Sequence, residues 1–382
     1  MVINQRRMIE GLLQLVQIDS HSRKEGMIAS FLAEKIQKMG GEATFDDAGE
    51  KVKGEVGNLI AKFKGDPSIP PMLLSAHMDT VVPGEGVHPV VEENVIRSDG
   101  NTVLGGDDKS GIAIILEVIQ SIRENQILHG DIEVAFTICE EAGLLGAKHL
   151  DMSRFRSKYG LVLDSDDAGF LFTRAPASSR LEFRIFGLEA HAGMAPEKGL
   201  SAIQLAGDAI SRMKLGRIDQ ETTANLGVIQ GGDAVNIVPN RVTILGEARS
   251  HNEEKLKRQV EHMIDCFEKA IEGSIINVDG KQVRGRLEKN IYKDYERMDL
   301  PDNSPIVHLV LRAAQNKNLN VQTRAMGGGC DANIFNQRGI QVANLGTGMR
   351  NIHSVSEYLI IEEFIRAAEI IYEVLLINSE RV

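Results

Sequence analysis

The chain predicts an α/β fold, a central sheet flanked by helices, with an α+β domain inserted into it. Three observations carry this reading. Short apolar runs of strand length alternate with helical periodicities in the first and last parts of the chain. Several of those runs end in acids or a histidine, where open α/β sheets hold their ligands. Between them, residues 176–292 change pattern to strand, helix, two strands, helix, strand (178–186, 200–213, 222–229, 241–248, 253–271 and 281–287), the βαββαβ order of a ferredoxin-like unit. At 382 residues the chain exceeds the size at which one hydrophobic core keeps growing, so two domains are expected: 1–175 with 293–382, and 176–292.

In chain order, residues 5–16 and 25–38 carry apolar residues at helical spacing, and Gly40-Gly41 stops the second helix. Residues 58–63 are apolar and β-prone, and Lys64-Gly65-Asp66-Pro67 turns the chain. Residues 72–76 form a continuous apolar run bounded by prolines, as expected of a strand buried on both faces. It delivers His77 and Asp79. Side chains alternate along a strand, so the two are expected on one face, with the Asp79 carboxylate taking the proton of the second imidazole nitrogen and orienting His77. A β-prone stretch at 90–96 follows, and then Gly105-Gly106-Asp107-Asp108-Lys109-Ser110-Gly111 opens an apolar helix, 112–122. Glycines before a helix invite a phosphate-loop reading, but that motif needs Gly directly before Lys-Ser. Asp108 stands there instead, behind Asp107, and two carboxylates repel a phosphate and favour a cation.

Residues 131–139 form the next strand and run into Glu140-Glu141. Adjacent glutamates cannot both face the same way on an extended chain, so one is available to bind metal and the other to handle protons. A fourth strand, 159–163, delivers Asp164-Ser165-Asp166-Asp167; a calcium loop would need an oxygen ligand where Ala168 stands and a closing Glu that is missing. Residues 341–345 lead through a glycine-bearing turn to His353, ahead of a final helix, 360–376. Singly, each cluster has a plainer reading: a paired core histidine, acids capping a helix, a solvated acidic loop. Five polar sites placed after apolar runs argue together for one constellation.

Composition bounds the rest. Hydrophobic content of 42% and charged content of 25% describe an ordinary soluble globular protein, and no stretch reaches the apolar length of a membrane span. The amino-terminal segment suits an amphipathic helix better than a signal peptide, so a cytoplasmic location is expected. Three cysteines without CxxC spacing exclude a disulfide scaffold and a structural zinc site. A net charge of -11 disfavours nucleic acid as a partner.

With these residues on the page, the chain resembles the M20 metallopeptidases, and within them the peptidase T-like group. SAHMDTV, LGGDDKSG, CEEAGLLGA, VLDSD, HAGMAPEKGLSAI, GGCDAN and the His353-Ser354 pair stand in the family's order over nearly the whole chain. The resemblance implies a zinc-peptidase-like catalytic domain with a central mixed sheet, and a lid domain that in relatives often mediates homodimers. It implies two Zn2+ per chain, with Co2+ or Mn2+ as substitutes: one held by His77, Asp107 and Asp164, the other by Asp107, Glu141 and His353, with Asp107 shared. Asp166, two residues on, is the alternative to Asp164. Glu140 takes the family's general-base position and Asp79 that of the carboxylate orienting His77. His191, in cis or from a partner chain, resembles the oxyanion donor, Arg249 the clamp for a substrate carboxylate, and Asn236 joins them as a substrate-binding residue. The implied activity is hydrolysis of the amino-terminal bond of short peptides. The competing readings are an N-acyl amino acid amidohydrolase or carboxypeptidase of the same family, and a noncatalytic peptide-binding protein stabilised by metal.

Overall fold

Four parallel strands form the centre of the larger unit, in the order Ile132–Thr137, Met72–His77, Tyr159–Val162 and Gln341–Leu345. Antiparallel strands flank them: Leu59–Phe63 and then Glu42–Phe45 on one side, Phe170–Ala175 and then Met298–Asp299 on the other. Gln322–Ala325 runs parallel beside Phe170–Ala175 and completes nine strands. The sheet is therefore mixed, as expected. This computed structural model describes residues 2–380 and divides into two units: one running to Ala175 and resuming over Met298–Met326 and from Cys330, the other Pro176–Arg297 with Gly327–Gly329.

Both faces of the sheet are covered, which is why the Met72–His77 run is apolar without alternation. Leu74, Val134, Phe136 and Leu161 pack on one side with Leu12, Leu32, Ile115 and Ile371 from the helices Gln5–Val16, Gly26–Lys38, Gly106–Glu124 and Ile361–Ser379. Leu73, Ala135, Val162 and Val342 pack on the other with Phe335. Each fully buried leucine contributes about 1.5–3 kcal/mol to this core. Parallel strands require crossover connections, so the four central strands present their carboxyl ends along one edge. His77 ends one of them, and Glu140, Asp164 and Thr347 follow the other three within three residues. A small antiparallel sheet, Met349–Arg350, Tyr358–Ile360, Val95–Ser98 and Pro89–Glu92, holds the loop that carries His353.

The smaller unit is a second sheet, ordered Gly216–Arg217, Thr222–Gly231, Arg241–Ser250, Ala177–Phe186 and Arg286–Tyr295, backed by the helices Ala202–Arg212 and Glu253–Glu272. Its βαββαβ order is the expected one, with a correction at the last strand. Lys281–Arg284 pairs only with Ile275–Val278 in a hairpin, and the strand that joins the sheet is Arg286–Tyr295. The expected boundary at residue 292 falls inside that strand, whose pairing continues to Lys293 opposite Ser179 and Tyr295 opposite Ser178, so the unit ends at Arg297. Among the described residues no helix is long and apolar enough to cross a membrane.

Candidate metal centre

His77 is 2% exposed, and its Nε2 lies 3.0 Å from Asp107 Oδ1. The other carboxylate oxygen of Asp107 faces His353 Nε2 at 3.2 Å, and the same nitrogen is 2.8 Å from Glu141 Oε1. Asp107 thus stands between the two histidines. It reaches both because its backbone (φ -81°, ψ 102°) is extended rather than helical at the start of Gly106–Glu124. His353 owes its direction to a left-handed backbone (φ 61°) in the loop after Met349–Arg350. Three groups of side chains each offer ligand atoms within 4.8 Å of one another: His77, Asp107 and Asp164; His77, Glu140 and Glu141; and Asp107, Glu141 and His353. Asp164 takes part and Asp166 does not. The Asp164 backbone is fixed from both sides by Asn344, whose Oδ1 accepts from Asp164 N (2.9 Å) and whose Nδ2 donates to the Asp164 carbonyl (2.5 Å).

Asp79 faces His77 with both its carbonyl and its carboxylate. The strand ladder ends at His77, so alternation no longer governs the residues beyond it. The contact that orients the imidazole is the Asp79 carbonyl oxygen, 2.8 Å from His77 Nδ1, while the nearer carboxylate oxygen is 3.5 Å away. The carboxylate also accepts from three other groups: Oδ1 from Glu140 N at 2.9 Å, and Oδ2 from Glu141 N at 3.1 Å and Ser22 Oγ at 2.6 Å. Asp79 thereby ties the two glutamates to the histidine strand. Asp108, expected with Asp107 to favour a cation, accepts from His77 N and Gly111 N, both at 3.2 Å, and so joins the strand end to the helix start.

The electrostatics are those of a site short of positive charge. Burial pushes Asp108, Asp164 and Glu140 well above the ordinary carboxylate range, and the neighbouring acids add to it: Asp164 and Asp107 act on Asp108, Asp107 and Glu141 on Asp164, and Asp164, Asp331 and Glu141 on Glu140. Burial also raises Glu141. Burial opposes ionisation of Asp107 too, but His353 and His77 outweigh it and hold this carboxyl well below the usual range. The same contacts, with Asp107 and Glu141, raise His353 to about 10. Burial works against a charge on His77, and Asp107 and Asp79 override it and raise it well above the ordinary imidazole value. Clustered carboxylates and two imidazoles are the oxygen and nitrogen donors divalent zinc accepts, and two such ions would neutralise the surplus negative charge. The residues fit a pair of metals.

Other groups here escaped the sequence reading. Glu25, with no motif around it, accepts from Arg23 N and Cys139 N and braces the turn into Glu140. Asp331, in the GGCDAN stretch, accepts from Thr137 Oγ1 at 2.5 Å; burial pushes it up to about 6, and its Oδ1 is buried without a protein partner. Glu357, four residues after His353, accepts from Gly105 N and Asp107 N. His191, Asn236 and Arg249 fall in the smaller unit. His191 and Asn236 sit on facing segments, joined by a hydrogen bond from Ala192 N to the Asn236 carbonyl (2.9 Å) and by the bridge between His191 and Ile237. His191 Nδ1 accepts from Gly193 N and Met194 N, each at 3.2 Å. Arg249 lies on Arg241–Ser250, where its Nη2 donates to Glu247 Oε2 (2.9 Å) and its Nε is buried without a partner.

A sheet edge that gathers carboxylates and histidines into groups able to hold cations, with a second glutamate beside them, points to a class: a hydrolase of the metallopeptidase kind. The particular family follows from comparison with known proteins. The profile of Peptidase family M20/M25/M40 matches residues 73–377, and the chain belongs to that family. The chain is 41% identical over 375 residues to the Bacillus subtilis (strain 168) protein YqjE, itself uncharacterized, covering 98% of this chain and 99% of the relative. Two solved structures share 38% identity with it: a tripeptidase from Staphylococcus aureus (TM-score 0.91, all of both chains) and aminopeptidase PepT from Bacillus cereus (TM-score 0.86, 99% of this chain and all of the other). The resemblance seen in the sequence therefore holds: this is an M20 peptidase of the peptidase T-like group, a hydrolase of peptide bonds.

Proposed function

We propose that the protein is a dinuclear zinc aminopeptidase that removes the amino-terminal residue of short peptides, tripeptides above all. The observation that carries this reading is Glu140, a buried carboxyl that stands beside His77 and Glu141, is held at its backbone N–H by Asp79, and is left over once the two ligand triads named below are made up. A binding protein has no use for such a group; a hydrolase needs it. His77, Asp107 and Asp164 would hold one ion and Asp107, Glu141 and His353 the other. When bound, the ions supply an acidified water and polarise the peptide carbonyl.

The chain's own residues do the rest. Glu140 takes the proton of the attacking water and returns it to the leaving amine. His191 accepts at Nδ1 from two backbone N–H groups, so its hydrogen sits on Nε2, the arrangement of a donor to a developing oxyanion. Arg249 offers a guanidinium fork for the substrate's terminal carboxylate, and the Asn236 amide contributes to binding beside His191. The substrate class draws support from the tripeptidase and aminopeptidase relatives. Zinc, with cobalt or manganese as substitutes, homodimerisation through the lid, and cytoplasmic residence with reduced thiols belong to the same proposal.

A panel of one tripeptide in free, N-acetylated and C-amidated forms tests the reading. Release of the first residue from the free peptide, none from the acetylated form, and a kcat/KM lower by about 10- to 150-fold for the amide are expected, the last being the loss of a hydrogen bond to a charged group. Efficient cleavage of the acetylated form would make the enzyme an amidohydrolase, and release of the last residue a carboxypeptidase.

A further inference from the structure

Glu357 is 2% exposed, and each of its carboxylate oxygens meets a backbone N–H: Oε2 accepts from Gly105 at 2.8 Å and Oε1 from Asp107 at 3.0 Å. These amides have no helical partner. Gly105 is the N-cap of Gly106–Glu124, in a left-handed conformation (φ 73°) with no side-chain cap, and Asp107 has left the helical path. Helix N-termini leave such donors open, and two of them converging on one carboxylate make a small anion-binding nest. Gly106 lies flat against it, for a Cβ there would come within 3.1 Å of Glu357 Oε1. Glu357 is itself anchored. Its N–H donates to the Ser354 carbonyl at 3.0 Å, and the strand Tyr358–Ile360 begins at the next residue.

We infer that Glu357 is a positioning residue that sets the direction of the Asp107 carboxylate from behind, and thereby the affinity of the centre for its second ion. The inference rests on the dinuclear reading above. One turn, Ser354–Glu357, hangs from the same loop as His353, so a single segment supplies a ligand and braces the shared carboxylate 250 residues away. Both ends of the Asp107 side chain are then fixed: its oxygens face His77 and His353, and its backbone is held by Glu357. Partners that orient a ligand in this way govern metal affinity as well as rate.

The test is calorimetric titration of Zn2+ into chelator-stripped protein, with the melting temperature of the stripped protein read alongside. Glu357→Gln keeps the shape but must turn an amide N–H2 toward one of the two backbone donors. Glu357→Asp keeps the charge but is too short to reach both. Gly106→Ala wedges the bracket open from the other side. All three should bind the weaker ion about 10- to 100-fold less tightly than wild type. Glu117→Gln is the control, since Glu117 is a buried carboxylate on the same helix that accepts from Asn4, Arg7 and Ser121. It should lower the melting temperature and leave zinc affinity unchanged. Wild-type affinity in Glu357→Gln, wild-type affinity in Glu357→Asp alone, or an equal loss of affinity in Glu117→Gln would each overturn the assignment. A wild type that never takes up a second ion would instead overturn the dinuclear reading, and this inference with it.

Discussion

Replacing Asp79 by Asn separates the two jobs this residue could have. Its carboxylate accepts three hydrogen bonds, from Glu140 N, Glu141 N and Ser22 Oγ, while His77 Nδ1 is served by the Asp79 backbone carbonyl. Asn keeps the carbonyl and one side-chain oxygen. That oxygen is best kept where Glu141 N and Ser22 Oγ both donate, which turns the new amide N–H2 against Glu140 N. One bond to a charged acceptor is then lost, about 1.5–3 kcal/mol, and the two that remain weaken. At 1.4 kcal/mol per factor of ten, the displaced Glu140 should lower kcat/KM by about 10- to 150-fold. Steady-state kinetics on a tripeptide, with metal content measured on the same sample, read both effects. Metal held by His77 should be retained, because the atom that orients the ring is unchanged. Full activity, or loss of metal with kcat preserved, would refute this reasoning and return Asp79 to the role of histidine orienter.

Two further outcomes follow from charge. Arg7 donates to Glu117 at 2.7 and 2.9 Å and to Glu124 at 2.6 and 3.0 Å, and the Glu117 side chain is 2% exposed; Arg7→Met should cost about 3 kcal/mol, the low end for breaking a buried pair, because Arg7 itself is one-third exposed. An unfolding free energy from urea titration within about 0.5 kcal/mol of wild type, the range of ordinary surface changes, would contradict it. Stripping the metals should make stability fall as pH rises. Asp108, Glu140, Asp164 and Asp331 bind protons more tightly in the native chain than unfolded, so their stabilisation is complete below about pH 4 and is lost upward through the Asp331 value of about 6 and beyond. His353, raised to about 10, has the same sign. Melting of the stripped protein from pH 5 to 8 should show the decline and zinc should abolish it; a flat profile would contradict the electrostatic account.

Much of the candidate centre was legible because its carboxylates and histidines sit where strands end. The Met72–His77, Ile132–Thr137 and Tyr159–Val162 runs announce themselves by apolarity, and the first polar residues after them are the cluster. What sets Asp164 rather than Asp166 beside His77 and Asp107 was not legible: the strand ends at Val162, and the Asp164 backbone is held by Asn344, 180 residues away. The part played by the Asp79 backbone was not legible either: the ladder ends at His77, and the Asp79 carbonyl lies nearer to His77 Nδ1 than its carboxylate does. Glu25 and Glu357 were hidden for another reason. They contact backbone amides, and a backbone amide leaves no mark on the sequence. The last lid strand was read too early because Ile275–Arg284 carries a strand-like pattern of its own, spent on a local hairpin.

Glu140→Gln, loaded with zinc, is the most direct test of the account. The amide preserves the shape of the side chain and removes its capacity to take a proton, so the variant should bind two ions like wild type while its turnover of a free tripeptide falls by about a hundred- to ten-thousand-fold. Turnover equal to wild type, with both ions in place, would contradict the central claim that Glu140 is the base of a dinuclear peptidase.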